Sequence, residues 1–210
     1  MNNSNKIILD LCGGTGAWSK PYKDNGYDVR LITLPDNDVR TYIPPQYVYG
    51  ILAAPPCQMF SFCRTSPKNP RDLRMAMETV YACLKIIWEC QYDVSKLSIA
   101  CKKTTLKFWA LENPYFGLLK NFIGKSAFVF DPWEFGDMYK KRTALWGNFN
   151  EPHKLYKNEN GRMKKFDRLL LYKLKDLRKP VNEFGLIENR QELRSITPPR
   201  FAQAFCEANK

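Results

Sequence analysis

The hydrophobic positions fall into short runs separated by glycine, proline and charged residues. Lys6-Ile7-Ile8-Leu9-Asp10-Leu11 is apolar on both alternating faces and is closed by a glycine turn, the pattern of a buried parallel strand. Residues 17–26 begin with helical spacing, Pro21 stands where it could kink that helix, and Gly26 ends it. Residues 27–34 and 47–53 read as further strands, the second ending at Pro55-Pro56, and Leu73 to Cys90 reads as a helix. Phe108-Trp109-Ala110-Leu111-Glu112 reads as a fourth strand. Pro198 to Cys206 places proline at a helix start, followed by apolar residues at helical spacing.

Strands alternating with helical stretches predict βαβ units, and so a single α/β domain with a mostly parallel sheet flanked by helices. In such a fold, ligands bind outside the carboxyl ends of the strands. The 210 residues, 44% of them hydrophobic, suffice for one core. No run approaches a membrane span and the first residues lack a secretory pattern, so the expectation is a soluble, cytoplasmic chain. The seven cysteines contain no CxxC pair and His153 is the only histidine. Reduced thiols without a metal cluster are therefore expected.

Charge adds a partner class. Lys and Arg exceed Asp and Glu by 33 to 21, a net charge of +12, which suits a polyanion such as nucleic acid as well as a merely soluble basic surface. The excess concentrates between residues 153 and 180, where ten Lys or Arg face three Asp or Glu. That segment reads as a basic insert that supplies phosphate contacts or as a solvated charged face.

Three segments carry candidate chemistry. Gly13-Gly14-Thr15-Gly16 follows the first strand, where a glycine turn lets backbone approach a ligand. It matches neither a Walker loop nor the full GxGxxG spacing, and a ligand-free strand-to-helix turn accounts for the same pattern. In Ala54-Pro55-Pro56-Cys57-Gln58-Met59-Phe60-Ser61 a double proline fixes the backbone before a cysteine at a strand end. Such a thiol is either a nucleophile or a buried inert side chain; the other six cysteines read as structural. In Leu111-Glu112-Asn113-Pro114 a carboxylate ends a strand, aimed into the cleft or into solvent.

In this order the segments resemble the DNA cytosine-C5 methyltransferase family across essentially the whole chain. Asp10-Leu11-Cys12-Gly13-Gly14-Thr15-Gly16 resembles the family's cofactor loop, Asp38-Val39 its adenine-contacting motif, and Pro55-Pro56-Cys57-Gln58 its nucleophile motif. Asp72-Leu73-Arg74 is similar to the start of the following helix. Glu112-Asn113-Pro114 stands where the family has Glu-Asn-Val, and Thr197-Pro198-Pro199-Arg200-Phe201-Ala202 is similar to the closing motif. Four departures are visible. Cys12 replaces an aromatic residue, and Thr33-Leu34-Pro35 lacks the ribose-binding acid. Tyr139-Lys140-Lys141-Arg142-Thr143 replaces Gln-x-Arg-x-Arg, and only about 50 residues separate that motif from the closing one, where the family has its DNA-reading domain.

The resemblance implies a Rossmann-like S-adenosylmethionine-dependent domain and a metal-free reaction on cytosine in DNA, flipped out or single-stranded. By it Cys57 adds to C6 of the base and Glu112 holds the N3 edge, with Lys141 and Arg142 beside them. A flipped base implies a lid, and residues 62–71, with Arg64, Lys68 and Arg71, suit one that closes over it and contacts phosphate, or an ordinary surface loop. Asp10, Cys12, Gly13, Gly14, Gly16, Asp38, Pro55 and Thr197 form the cofactor site. Residues 1–150 would be the catalytic and cofactor-binding core, 151–190 a reduced target-recognition insert, and 191–210 a helix packing back on the core. Methylation of a free pyrimidine nucleotide or RNA, and a catalytically silent nucleic-acid-binding accessory module, stand as alternatives.

Overall fold

A computed structural model describes residues 2–62, 70–92, 106–137, 140–156, 181–182, 185–186 and 195–210. Arg64, Lys68 and all of the basic insert beyond residue 156 and before 181 lie outside these residues, and so do Cys63 and Cys101.

Six strands form one sheet: β1 (Ile7–Leu11), β2 (Asp28–Ile32), β3 (Val48–Ala53), β4 (Phe108–Pro114), β5 (Phe128–Phe130) and β6 (Thr143–Asn148), in the order β2-β1-β3-β4-β6-β5. β1 pairs in parallel with β2 and β3, and β3 with β4, whereas β6 runs antiparallel to both β4 and β5. The fold is therefore α/β with a mixed sheet, and the expected parallel arrangement covers only its first four strands. A separate antiparallel pair joins β7 (Val181–Asn182) and β8 (Gly185–Leu186).

The helices are α1 (Lys20–Asp24), α2 (Leu73–Gln91), α3 (Lys120–Ile123) and α4 (Pro199–Ala208). Because strand side chains alternate between faces, β1 feeds two cores. Leu9 and Leu11 join Ile51, Ala53 and Leu111 against Val80, Cys83 and Ile87 of α2. Ile8 joins Leu52, Phe108 and Ala110 on the opposite face, against Tyr22 of α1 and Phe201 and Phe205 of α4. The strands are apolar in both registers because both faces are covered.

Two local expectations are corrected. Residues 14–19 form turns, and α1 starts at Lys20 with Pro21 in its first turn. Proline's missing N–H is harmless there, so the helix is short rather than kinked. β4 continues through Pro114, so Glu112 and Asn113 lie inside the strand, opposite Leu145 and Ala144 of β6. The antiparallel partner supplies the backbone bonds that prolong it.

α4 closes the second face. Its Phe201 stacks on Phe130 at 3.8 Å between centroids, and its Phe205 meets Trp18 edge-on at 5.5 Å. Asn209 fastens its end: Nδ2 donates to the Asn150 carbonyl at 3.0 Å, and the Asn150 N–H donates back to Asn209 Oδ1 at 2.8 Å. Among the described residues no helix is long and apolar enough to cross a membrane.

Candidate active site at the carboxyl ends of β1, β3 and β4

Asp10 follows the buried register of β1 and is fully buried. Ser19 Oγ donates to its Oδ2 at 2.6 Å, while Oδ1 has no hydrogen-bond partner among the described residues. Burial pushes the Asp10 carboxyl up to about 6, against hydrogen bonds from Ser19 that pull it down. Gly13 packs on this carboxyl so closely that a Cβ there would overlap it. Gly14 and Gly16 adopt left-handed φ values of 55° and 72°, and the space where a Cβ would stand on Gly14 is open. The glycines thus do separate jobs: Gly13 admits the carboxyl, and Gly14 and Gly16 turn the chain.

Cys12 also has positive φ, 57°, and its N–H donates to the Ile32 carbonyl at 2.7 Å. Its Sγ lies 4.0 Å from Sγ of Cys83 on α2. That hydrogen bond, with burial second, raises the Cys83 thiol well above the ordinary range. Burial likewise pushes Cys90 up to about 12 and Cys206 up to about 11, so these three thiols favour the neutral, unreactive form.

Cys57 begins a tight turn whose carbonyl accepts from the N–H groups of Phe60 at 3.0 Å and Ser61 at 2.9 Å. Phe60 is fully buried and anchors the turn. Arg71, expected in a phosphate-binding lid, points inward instead: Nη1 donates to the Met59 carbonyl at 2.6 Å and Nη2 to that of Ser61 at 2.9 Å. A guanidinium with both arms on this turn holds its shape. Asp72 then caps α2, accepting from the Met75 N–H at 2.9 Å.

β4 reaches the same end of the sheet. Asn113 is buried and its Nδ2 donates to the Pro55 carbonyl at 3.1 Å, so the Glu112-Asn113-Pro114 segment is bonded to the Pro55-Pro56-Cys57 segment. Glu112 takes the alternate register of β4, and Lys141 Nζ lies 3.7 Å from its Oε1. The same ammonium donates to the Ile196 carbonyl at 3.2 Å, beside buried Thr197. Lys141 thereby joins β4 to the segment leading into α4. Arg142 turns outward, 3.9 Å from Asp131 and over the Tyr115 ring at 5.1 Å.

Asp38 stands apart from this group in its hydrogen bonding. It pairs with the Arg40 guanidinium and accepts the Arg40 N–H at 2.9 Å, and these bonds hold its carboxyl down at about 2. Ser19 and Asn113 are site residues that the sequence does not single out. Asn113 carried a signal, an amide flanking a strand glutamate, but its partner Pro55 is 58 positions away. Among the described residues no group of three or more His, Cys, Asp or Glu could hold a metal ion.

No protein-family model matches the sequence, and no curated protein matches it. Among solved structures the chain is similar to the Entamoeba histolytica methyltransferase EhMeth, at 12% identity over 74% of this chain, with a TM-score of 0.39. The chain covers 58% of that protein's length.

Proposed function

We propose that the chain is an S-adenosylmethionine-dependent methyltransferase acting on C5 of cytosine in DNA, with Cys57 as nucleophile. The observation that carries this reading is the Asn113–Pro55 hydrogen bond. It ties the strand bearing Glu112 to the loop bearing Cys57, and addition to a pyrimidine requires both groups at one base.

The Gly13–Gly16 turn fits the cofactor. A buried carboxylate with one oxygen lacking a partner suits a cationic or N–H donating ligand, and the space over Gly14 is open. Asp10, Cys12, Gly13, Gly14, Gly16, Pro55 and Thr197 would hold it; Asp38 would join after exchanging Arg40 for an adenine edge. When bound, the cofactor supplies an electrophilic methyl group.

Cytosine C5 is too poor a nucleophile to take that methyl unaided. The Cys57 thiolate bonds to C6, the C5–C6 π pair shifts into the C4–C5 bond and the C4–N3 π pair moves onto N3, which leaves an enamine with a nucleophilic C5. Glu112 hydrogen-bonds the N3 edge, so negative charge does not build up there. Lys141, against Glu112 and the Ile196 carbonyl, orients that carboxyl. C5 would take the cofactor's methyl group, the sulfonium sulfur leaving as a neutral thioether; loss of the C5 proton to water then lets the Sγ–C6 bond break, which restores the thiolate and the aromatic ring. A base stacked in a duplex cannot reach Cys57, so the substrate is flipped out or single-stranded.

Residues 1–150 would form the catalytic core, 151–190 a basic DNA-contacting insert, and 191–210 the helix that completes the cofactor side. The direct test incubates the protein with methyl-labelled cofactor and cytosine-rich DNA, followed by nucleoside mass spectrometry. The reading expects label in 5-methylcytosine with wild type and none with Cys57→Ala. Label in another nucleoside, or equal label with Cys57→Ala, would refute it.

A further inference from the structure

From Tyr115 to Phe130 the sequence carries Lys120 and Lys125 and no acidic residue. This segment is fixed to the turn that follows Cys57. Ser61 and Gly117 form an antiparallel bridge, and Leu118 N–H donates to the Phe60 carbonyl at 3.0 Å. On that rigid base Phe116 and Phe122 stay 55% and 50% exposed, which leaves aromatic surface open to a partner.

Two cations lie over the ring next to Phe116. Phe116 meets Tyr115 edge-on at 5.0 Å, and Tyr115 carries Lys120 Nζ at 5.5 Å and the Arg142 guanidinium at 5.1 Å. Beside Tyr115 opens a groove of about 480 Å³ floored by Val129, Ala144 and Trp146 and edged by Lys120 and Lys125. Phe122 packs edge-on to buried Phe60 at 6.3 Å, so it is anchored to the turn that follows Cys57.

A partner that matches this face must offer flat aromatic surfaces and negative charge together. Duplex DNA offers phosphates but keeps its base faces stacked, whereas a single strand offers both. We propose that Phe116 and Phe122 stack on bases of single-stranded nucleic acid, and that Lys120, Lys125 and Arg142 neutralise its phosphates. The proposal rests on the reading of nucleic acid as substrate and assigns the place of the nucleotides flanking the target base.

The test is fluorescence anisotropy of labelled oligo-dT, oligo-U and a hairpin duplex, titrated with the full Cys57→Ala chain without cofactor. Single strands should bind more tightly than the duplex, with the DNA and RNA arms identifying the preferred sugar. Phe116→Ala/Phe122→Ala should weaken single-strand binding about tenfold or more at an unchanged salt slope, and Phe116→Trp/Phe122→Trp should restore it. Lys120→Gln/Lys125→Gln should flatten the slope of log affinity against log salt by about 1.4. Wild-type-like binding by either loss variant, or tighter binding of the duplex, would overturn the proposal. Because no methyl transfer is read, these outcomes are independent of whether Cys57 is a nucleophile.

Discussion

Asn113 Nδ2, on β4, donates to the buried Pro55 carbonyl in the loop after β3, at 3.1 Å. Asn113 Oδ1 is also buried and has no hydrogen-bond partner among the described residues, so the amide is kept for this one bond. Removing it strips a buried carbonyl of its donor and frees the loop before Cys57. Asn113→Ala should lower unfolding free energy by about 1–3 kcal/mol in a denaturant titration. It should also reduce methyl transfer more than that stability loss explains at a temperature where the variant is fully folded.

Lys141→Met keeps the length of the side chain and removes its charge. Without the ammonium beside Oε1, Glu112 loses its fixed orientation, and methyl transfer should fall by about a hundredfold in kcat, as expected for a misplaced reacting group. Arg142→Met, which removes a group that faces Asp131 and Tyr115, should instead raise KM for DNA and leave kcat nearly unchanged. Steady-state kinetics on one oligonucleotide separates the two.

Asp10 predicts a pH dependence of stability. Its folded carboxyl, at about 6, lies above its ordinary value of 3.8, so the native state binds the proton more tightly than the unfolded chain. This contribution is full below pH 3.8 and is lost as pH rises through 6, a difference of about 3 kcal/mol. Subtracting the Asp10→Asn unfolding curve from wild type between pH 4.5 and 7.5 should reveal a wild-type stability that declines with pH. A difference that stays flat, or one that rises with pH, would contradict the burial argument.

The two glycines should respond differently to alanine. Gly13→Ala places a methyl group in the Asp10 carboxyl and should cost about 1–3 kcal/mol of stability as overpacking. It should also weaken S-adenosylmethionine binding in calorimetry. Gly14→Ala meets open space, and only its left-handed φ of 55° opposes it, so about 1 kcal/mol is expected.

The elements legible in the sequence are those whose own residues carry the pattern. β1, β3 and the start of β4 are continuous apolar runs, and α2 has an Asp72 cap and a long amphipathic repeat. β5 has only three residues, and β6 owes its place to antiparallel pairing with β4, a long-range partnership that no local pattern records. For the same reason Glu112 was read as a strand-end residue: the partner that extends β4 past it lies more than thirty positions away. The candidate site residues were recognisable as motifs, but their organisation was not. The Arg71 grip on the Cys57 turn and the Lys141 link between Glu112 and Ile196 depend on tertiary proximity.

The central claim is that Cys57 bonds to C6 of cytosine, and a fluorine at C5 tests it because it cannot leave as the proton does. Wild type and Cys57→Ala would each be incubated with S-adenosylmethionine and DNA containing 5-fluorocytosine, then resolved under denaturing conditions and weighed by mass spectrometry. Wild type should form a protein–DNA adduct, carrying the transferred methyl group, that requires both cofactor and Cys57. Folded, cofactor-bound wild-type protein that forms no adduct, or an adduct that persists in Cys57→Ala, would contradict it.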